Sequence, residues 1–151
     1  MSEPRYRSSV AGIFQRADGR ILICERLDKA GAWQFAQGGV DDGETAEQAF
    51  HREMEEELSV RPQDCRILDR KGPYRYLFPN GVQRKGYNGQ EQTYFLALLT
   101  GPETCINVAT AHPEFRGVRW VLPGEFDFAW LPAFKREVYR QVFADFFGVS
   151  L

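Results

Sequence analysis

Gly38-Gly39-Val40-Asp41-Asp42-Gly43-Glu44-Thr45-Ala46-Glu47-Gln48-Ala49-Phe50-His51-Arg52-Glu53-Met54-Glu55-Glu56-Glu57-Leu58-Ser59-Val60 is the stretch on which the reading of this chain turns. A glycine pair and an Asp42-Gly43 turn form a loop. Thr45 and Gln48 then stand in the T-x-x-Q spacing of a capping box, so a helix is expected from about Ala46 to Leu58. With Glu53 at zero and ~100° per residue, Glu56 falls near about −60° and Glu57 near about +40°. Ala46, Ala49 and Phe50 fall at roughly +20°, −40° and +60°, so the three carboxylates are interleaved with the face that should turn inward. Gln48, His51 and Glu55 point the other way. A solvated acidic face is the ordinary use of such a run, but carboxylates three and four apart repel, and turning them inward strips their hydration. A divalent cation relieves both penalties.

Around this stretch the chain reads as short strands. Ser9–Phe14 and Arg20–Cys24 flank Asp18-Gly19, which favours a hairpin, and Gly31–Gly39 reads as one brief aromatic strand. Arg66–Leu68, Tyr74–Phe78, Thr93–Leu99 and Gly117–Leu122 are further strand candidates. Pro132 can open a second helix, on which Phe134, Val138, Val142 and Phe146 recur at a stride of four before Gly148 stops it. The fold class expected is α+β, an α/β/α sandwich with a mixed sheet between helices.

The 151 residues, 43% apolar and 14% aromatic, suit one domain spanning 1–151. No run approaches the ~20 apolar residues of a membrane span, and Met1–Tyr6 lacks the apolar segment of a secretory signal, so a cytoplasmic protein without a membrane partner is expected. Cys24, Cys65 and Cys105 are odd in number and widely spaced, which disfavours disulfides or a thiolate zinc site; they read as buried thiols. Two histidines do not make a histidine-rich metal site, which leaves carboxylates and hard cations. Arg66, Arg70, Lys71, Arg75, Arg84 and Lys85 form a basic stretch able to meet phosphate. Within it Tyr76, beside Arg75, is placed to stack on a base. Arg7, Arg26, Arg75 and Lys85 are candidate phosphate contacts or plain surface charges. Phe134 lies on the apolar stripe of the second helix and so suits core packing.

The pattern Gly38-x5-Glu44-x7-Arg52-Glu53-Met54-x-Glu56-Glu57-x-Ser59-Val60 resembles the Nudix box, the signature of hydrolases that cleave nucleoside diphosphates linked to another moiety. The one departure in the box is Ser59, where the family carries glycine. The resemblance implies that Arg52 pairs with Glu44 to brace loop against helix, and that Glu53, Glu56 and Glu57 hold Mg2+ or Mn2+. Trp33–Gly39, Gly89–Phe95, Pro113-Glu114-Phe115 and Phe134–Tyr139 resemble the branch of bacterial RNA 5′-pyrophosphohydrolases and asymmetric dinucleoside tetraphosphate hydrolases, with Ala36 in place of that branch's proline. By that resemblance Glu114 is a further metal ligand or base, Tyr76 and Phe134 stack a nucleobase, and Arg7 lies near the phosphates.

The function expected is metal-dependent cleavage of a phosphoanhydride in a nucleotide polyphosphate, either an RNA 5′-triphosphate end or a dinucleoside polyphosphate. Two or more cations bridge the polyphosphate, and the water's proton passes to Glu57, or alternatively to Glu56 or Glu114. The rival reading is a nucleotide- or RNA-sensing module without turnover, which the intact glutamate set disfavours. No obligate protein partner is evident.

Overall fold

A computed structural model describes residues 3–150. The strands are β1 (Tyr6–Gln15), β2 (Ile21–Arg26), β3 (Trp33–Gln34), β4 (Ala36–Gly39), β5 (Cys65–Leu77), β6 (Gly89–Leu99) and β7 (Phe115–Val121), and the α-helices are α1 (Ala46–Leu58) and α2 (Ala133–Phe147). All seven strands join one sheet with a central path β3-β2-β1-β6-β5; β4 also pairs with β1 and β7 with β2. The sheet is mixed: β1 runs parallel to β6, from Tyr6 opposite Gly89 to Gln15 opposite Leu98, while the other pairings are antiparallel.

Alternation along β1 divides the core in two. Ala11 and Ile13 pack with Val138, Tyr139, Val142 and Phe143 of α2. Val10 and Phe14 pack with Ala49, Phe50, Met54 and Leu58 of α1. Each helix therefore covers one face, and the chain is an α/β/α sandwich. Met54 and Phe50 come so close to the sheet that a Cβ on Gly12 would lie 2.6 Å from the Met54 sulfur.

Several expected elements differ in detail. The Gly31–Gly39 segment is two strands: Trp33 and Gln34 pair with β2, whereas Ala36–Gly39 pairs with β1, and the break at Phe35 drops that ring into the α2-side core. The segments Arg66–Leu68 and Tyr74–Phe78 lie on one strand, β5, whose register against β6 shifts between Ile67 and Asp69 and again between Lys71 and Tyr74. Gly72 takes φ +136° at the second shift and, with Pro73, hid the continuity in the sequence; both are tolerated because β5 is an edge strand. The β1–β2 hairpin pairs only at Gln15 and Ile21, because β2 turns away to pair with β3 and β7. Cys24 is buried, but Cys65 and Cys105 are only partly so.

Candidate active site

The loop after β4 and the first turns of α1 are locked by short-range hydrogen bonds. Thr45 and Gln48 close a reciprocal capping box, with Gln48 N–H donating to Thr45 Oγ1 at 3.1 Å and Thr45 N–H to Gln48 Oε1 at 2.9 Å. One turn on, Arg52 spreads its guanidinium across the junction. Its Nε and Nη2 donate to the two oxygens of Glu44, both at 2.8 Å, while Nη2 also reaches the Gly39 carbonyl at 2.8 Å. Its Nη1 donates to Glu53 Oε1 at 2.8 Å and to Glu56 Oε2 at 3.3 Å. A bidentate pair of this kind fixes direction as well as distance. The Arg52 guanidinium, with the Asp41 backbone N–H, holds Glu44 down at about 2.

Ser59 ends α1 in the left-handed conformation, φ +64°, that the glycine of the resembled motif would adopt without strain. Its hydroxyl donates to the Asn107 carbonyl at 2.9 Å and so ties the helix end to the loop before β7.

Glu53 and Glu57 are both 9% exposed. Burial raises both carboxyls. For Glu53 the Arg52 hydrogen bond opposes the rise, whereas for Glu57 the neighbouring charges of Glu53 and Glu114 add to it and push it up to about 9. Glu57 Oε2 is buried without a hydrogen-bond partner among the described residues. Beneath Glu53 lies Gly38, where a Cβ would fall 2.0 Å from the carboxyl carbon, so only a residue without a side chain lets the carboxylate rest there. Glu56 departs from the expected inward face: it is exposed, because its position at the edge of the wheel leaves it on the rim beside Arg52.

Among the described residues no three acidic, histidine or cysteine side chains already close around one point, since Arg52 holds one oxygen of Glu53 and Glu56 faces solvent. The donor set nonetheless fits a hard divalent cation. Of the two adjacent buried carboxylates, Glu53 has one oxygen on Arg52 while Glu57 has an orphaned oxygen and, among the described residues, no cation to offset its desolvation, and Glu56 and Glu114 stand at the rim.

Two openings meet at these glutamates. One is a cleft of about 580 Å³ whose lining includes Glu53, Glu57 and Glu114 together with Arg7, Arg26, Arg84 and Lys135. The second is an acidic bay of about 630 Å³ that shares Glu53, Glu57 and Glu114 and adds Glu56, Thr110 and His112. Among the described residues Arg7, Arg84 and Lys135 form no ion pair, whereas Arg26 is tied to Asp28 at 2.6 Å. Lys135 is 9% exposed, and burial followed by the nearby charges of Arg26 and Arg84 lowers it to about 8. The Arg7 guanidinium lies over Gly39 as Glu53 lies over Gly38: a Cβ on Gly39 would meet Arg7 Nη2 at 2.1 Å.

Of the other residues singled out from sequence, Phe134 lines the cleft. Tyr76 does not offer a free face: it is 7% exposed, with its ring centroid 5.7 Å from Phe134 and 6.2 Å from Phe78, and it backs Phe134 from within the core. Lys85 is exposed at φ +52° and is absent from the cleft lining, where its neighbour Arg84 stands over the Phe78 ring. Arg75 is on the α1 side of β5, paired with Glu91 at 2.7 Å and stacked on Tyr6. Lys135, Gln34 and Gln37 line the cleft without having been singled out, and Arg84, named only as part of the basic stretch, lines it too. Lys135 could have been noticed as a cation in the first turn of α2, where the helix dipole disfavours it.

A family model described as the NUDIX domain matches residues 5–145. The chain belongs to the NUDIX family. A protein of Erythrobacter litoralis named RNA pyrophosphohydrolase is 40% identical, over 94% of this chain and 91% of its own length. Among solved structures, the Escherichia coli dihydroneopterin triphosphate pyrophosphohydrolase superposes with a TM-score of 0.70 at 22% identity, covering 94% of this chain and 97% of that one. A Caenorhabditis elegans Ap4A hydrolase superposes at 0.65 with 19% identity, covering 95% and 99% respectively. The structural matches speak to the fold of this NUDIX chain, the sequence match to its kinship.

Proposed function

We propose that this NUDIX protein is a pyrophosphohydrolase that uses Mg2+ or Mn2+ to cleave a phosphoanhydride at the 5′-triphosphate end of RNA, with a dinucleoside polyphosphate as the second substrate to be tested. The observation that carries it is that one cleft is lined both by a buried carboxylate pair and by three cations that form no ion pair among the described residues. A polyphosphate is a ligand that meets both groups, its anionic oxygens facing Arg7, Arg84 and Lys135 while its reacting phosphorus is held toward Glu53 and Glu57. The name of the relative at 40% identity supports RNA as the first choice. The three free cysteines suit a cytoplasmic setting.

Glu53 and Glu57, with Glu56 and Glu114 at the rim, would hold the cation. When bound it supplies charge neutralisation on the phosphoryl oxygens and a more acidic water. Glu57 Oε2 has no competing hydrogen bond among the described residues, so it is the atom assigned to take the proton of the attacking water. Arg52 restrains Glu53 and the loop so that this geometry is set before substrate enters. Phe134, resting on Tyr76, offers a ring to the first base.

Triphosphorylated RNA and diadenosine tetraphosphate incubated with the protein and Mg2+ test the reading. RNA cleavage at the higher kcat/KM is expected. If neither substrate nor other nucleoside diphosphate derivatives are cleaved, the enzyme reading fails and the sensing module takes its place.

A further inference from the structure

Gln92, on β6, is 1% exposed, yet it carries an amide into a region where an apolar side chain would avoid desolvation. Its hydrogen bonds explain it. Gln92 Nε2 donates to Gln37 Oε1 at 2.7 Å, and the hydroxyl of the fully buried Tyr94 donates to Gln92 Oε1 at 3.4 Å. The chain Tyr94, Gln92, Gln37 therefore runs from the core to the cleft, where Gln37 is a lining residue. Because Gln92 occupies the carbonyl side of the Gln37 amide, the NH2 group is the donor side, set near the Tyr76 hydroxyl with its second hydrogen available to the cleft. Gln37 immediately precedes Gly38, over which the Glu53 carboxylate lies, and Arg7 lies over the next residue, Gly39. Gln37 and Gly39 share one face of β4, so the neutral, oriented donor stands on the side of the Arg7 guanidinium, with the Glu53 carboxylate on the other face at Gly38.

We propose that Gln37 donates from its amide to a phosphoryl oxygen of the substrate, and that Gln92 is the positioning residue that fixes the amide in that orientation. The inference rests on the polyphosphate reading of the cleft. A neutral donor contributes to holding phosphate without adding to the positive charge already crowded around Lys135, and a tethered amide loses little rotamer freedom on binding.

Steady-state kinetics on triphosphorylated RNA at saturating Mg2+ test it, using Gln37→Met, Gln92→Met and the double variant. Each single variant is expected to raise KM about tenfold with kcat within about twofold, the signature of lost binding shared by ground and transition states. The double variant is expected to match Gln37→Met alone, because Gln92 acts through Gln37. Gln37→Glu keeps an acceptor for Gln92 but offers no donor, and it should raise KM at least as far; this variant decides the matter if Gln92→Met does not fold. An unchanged KM in Gln37→Met or Gln37→Glu overturns the proposal, and so does a Gln92→Met effect that persists in full on the Gln37→Met background. Absence of cleavage by the unaltered protein instead refutes the polyphosphate reading and takes this inference with it.

Discussion

Replacing Gly38 by alanine separates geometry from composition at the glutamate pair. The added Cβ would lie 2.0 Å from the Glu53 carboxyl carbon and 2.1 and 2.4 Å from its oxygens, against an ordinary contact of 3.4 Å or more. The carboxylate or the β4 backbone must therefore shift by more than an ångström. Glu53 is the member that can yield, by rotating away from the loop and giving up its 2.8 Å bond to Arg52. Gly38 does not occupy the left-handed region, so alanine brings no backbone strain, and no ionisable group is lost. A displacement of about 1 Å in a catalytic group can cost ~100-fold in rate. The expectation is a fall of that order in kcat with a Tm within a few degrees of the unaltered protein, measured by pyrophosphate release and thermal melting. Gly39→Ala is the control. It meets the far end of a long Arg7 side chain, which can move, so its effect should fall on KM. A Gly38→Ala variant with activity within threefold of the original would refute the placement of Glu53 at the reacting centre.

Three more outcomes follow from the same contacts. Ser59→Ala should destabilise by about 1 kcal/mol through loss of the bond to Asn107, whereas Ser59→Gly loses that bond but relieves left-handed strain of about 1 kcal/mol and should be near neutral; chemical denaturation of both separates the terms. Glu57, raised from 4.5 to about 9 in the metal-free protein, stabilises the fold fully below its unfolded value, and that stability is lost as pH rises through about 9. Melts without metal should therefore decline across that window by up to ~1.4 kcal/mol per pH unit, and saturating Mg2+ should flatten the decline; identical slopes with and without Mg2+ contradict the assignment. Lys135, lowered from 10.5 to about 8, destabilises the fold while charged below that pH and is relieved as pH rises, so kcat/KM should drop above pH 8 as the free enzyme loses this cation. Lys135→Arg, which stays charged, should show no such drop.

The parts legible in the sequence are those fixed by local periodicity and spacing. The capping box named the start of α1 to the residue, and the helical wheel put Glu53 and Glu57 among the inward positions, because a helix face is set by chain geometry alone. Glu56 went wrong at the margin of that wheel, where the packing of α1 on β1 and β4, rather than its own periodicity, decides what is covered. The cationic and aromatic part of the cleft lining was less legible. Tyr76 and Arg75 alternate across β5, so the tyrosine is buried under Phe134 and the arginine lies on the opposite face, a split that depends on two register shifts the sequence does not announce. Arg84 and Lys85 differ only in where a short loop points them. Gln92 and Gln37 are 55 positions apart and meet only because β6 and β4 flank β1.

The central claim is that Glu57, held in a buried pair with Glu53, carries the hydrolysis of a phosphoanhydride. Its most direct test is pyrophosphate release from triphosphorylated RNA at saturating Mg2+ by the original protein and by Glu57→Gln, with matched melts to confirm the fold. Removal of the proton acceptor and one anionic ligand at unchanged shape is expected to lower kcat by at least ~1,000-fold while RNA binding survives. Undiminished turnover by Glu57→Gln would contradict it.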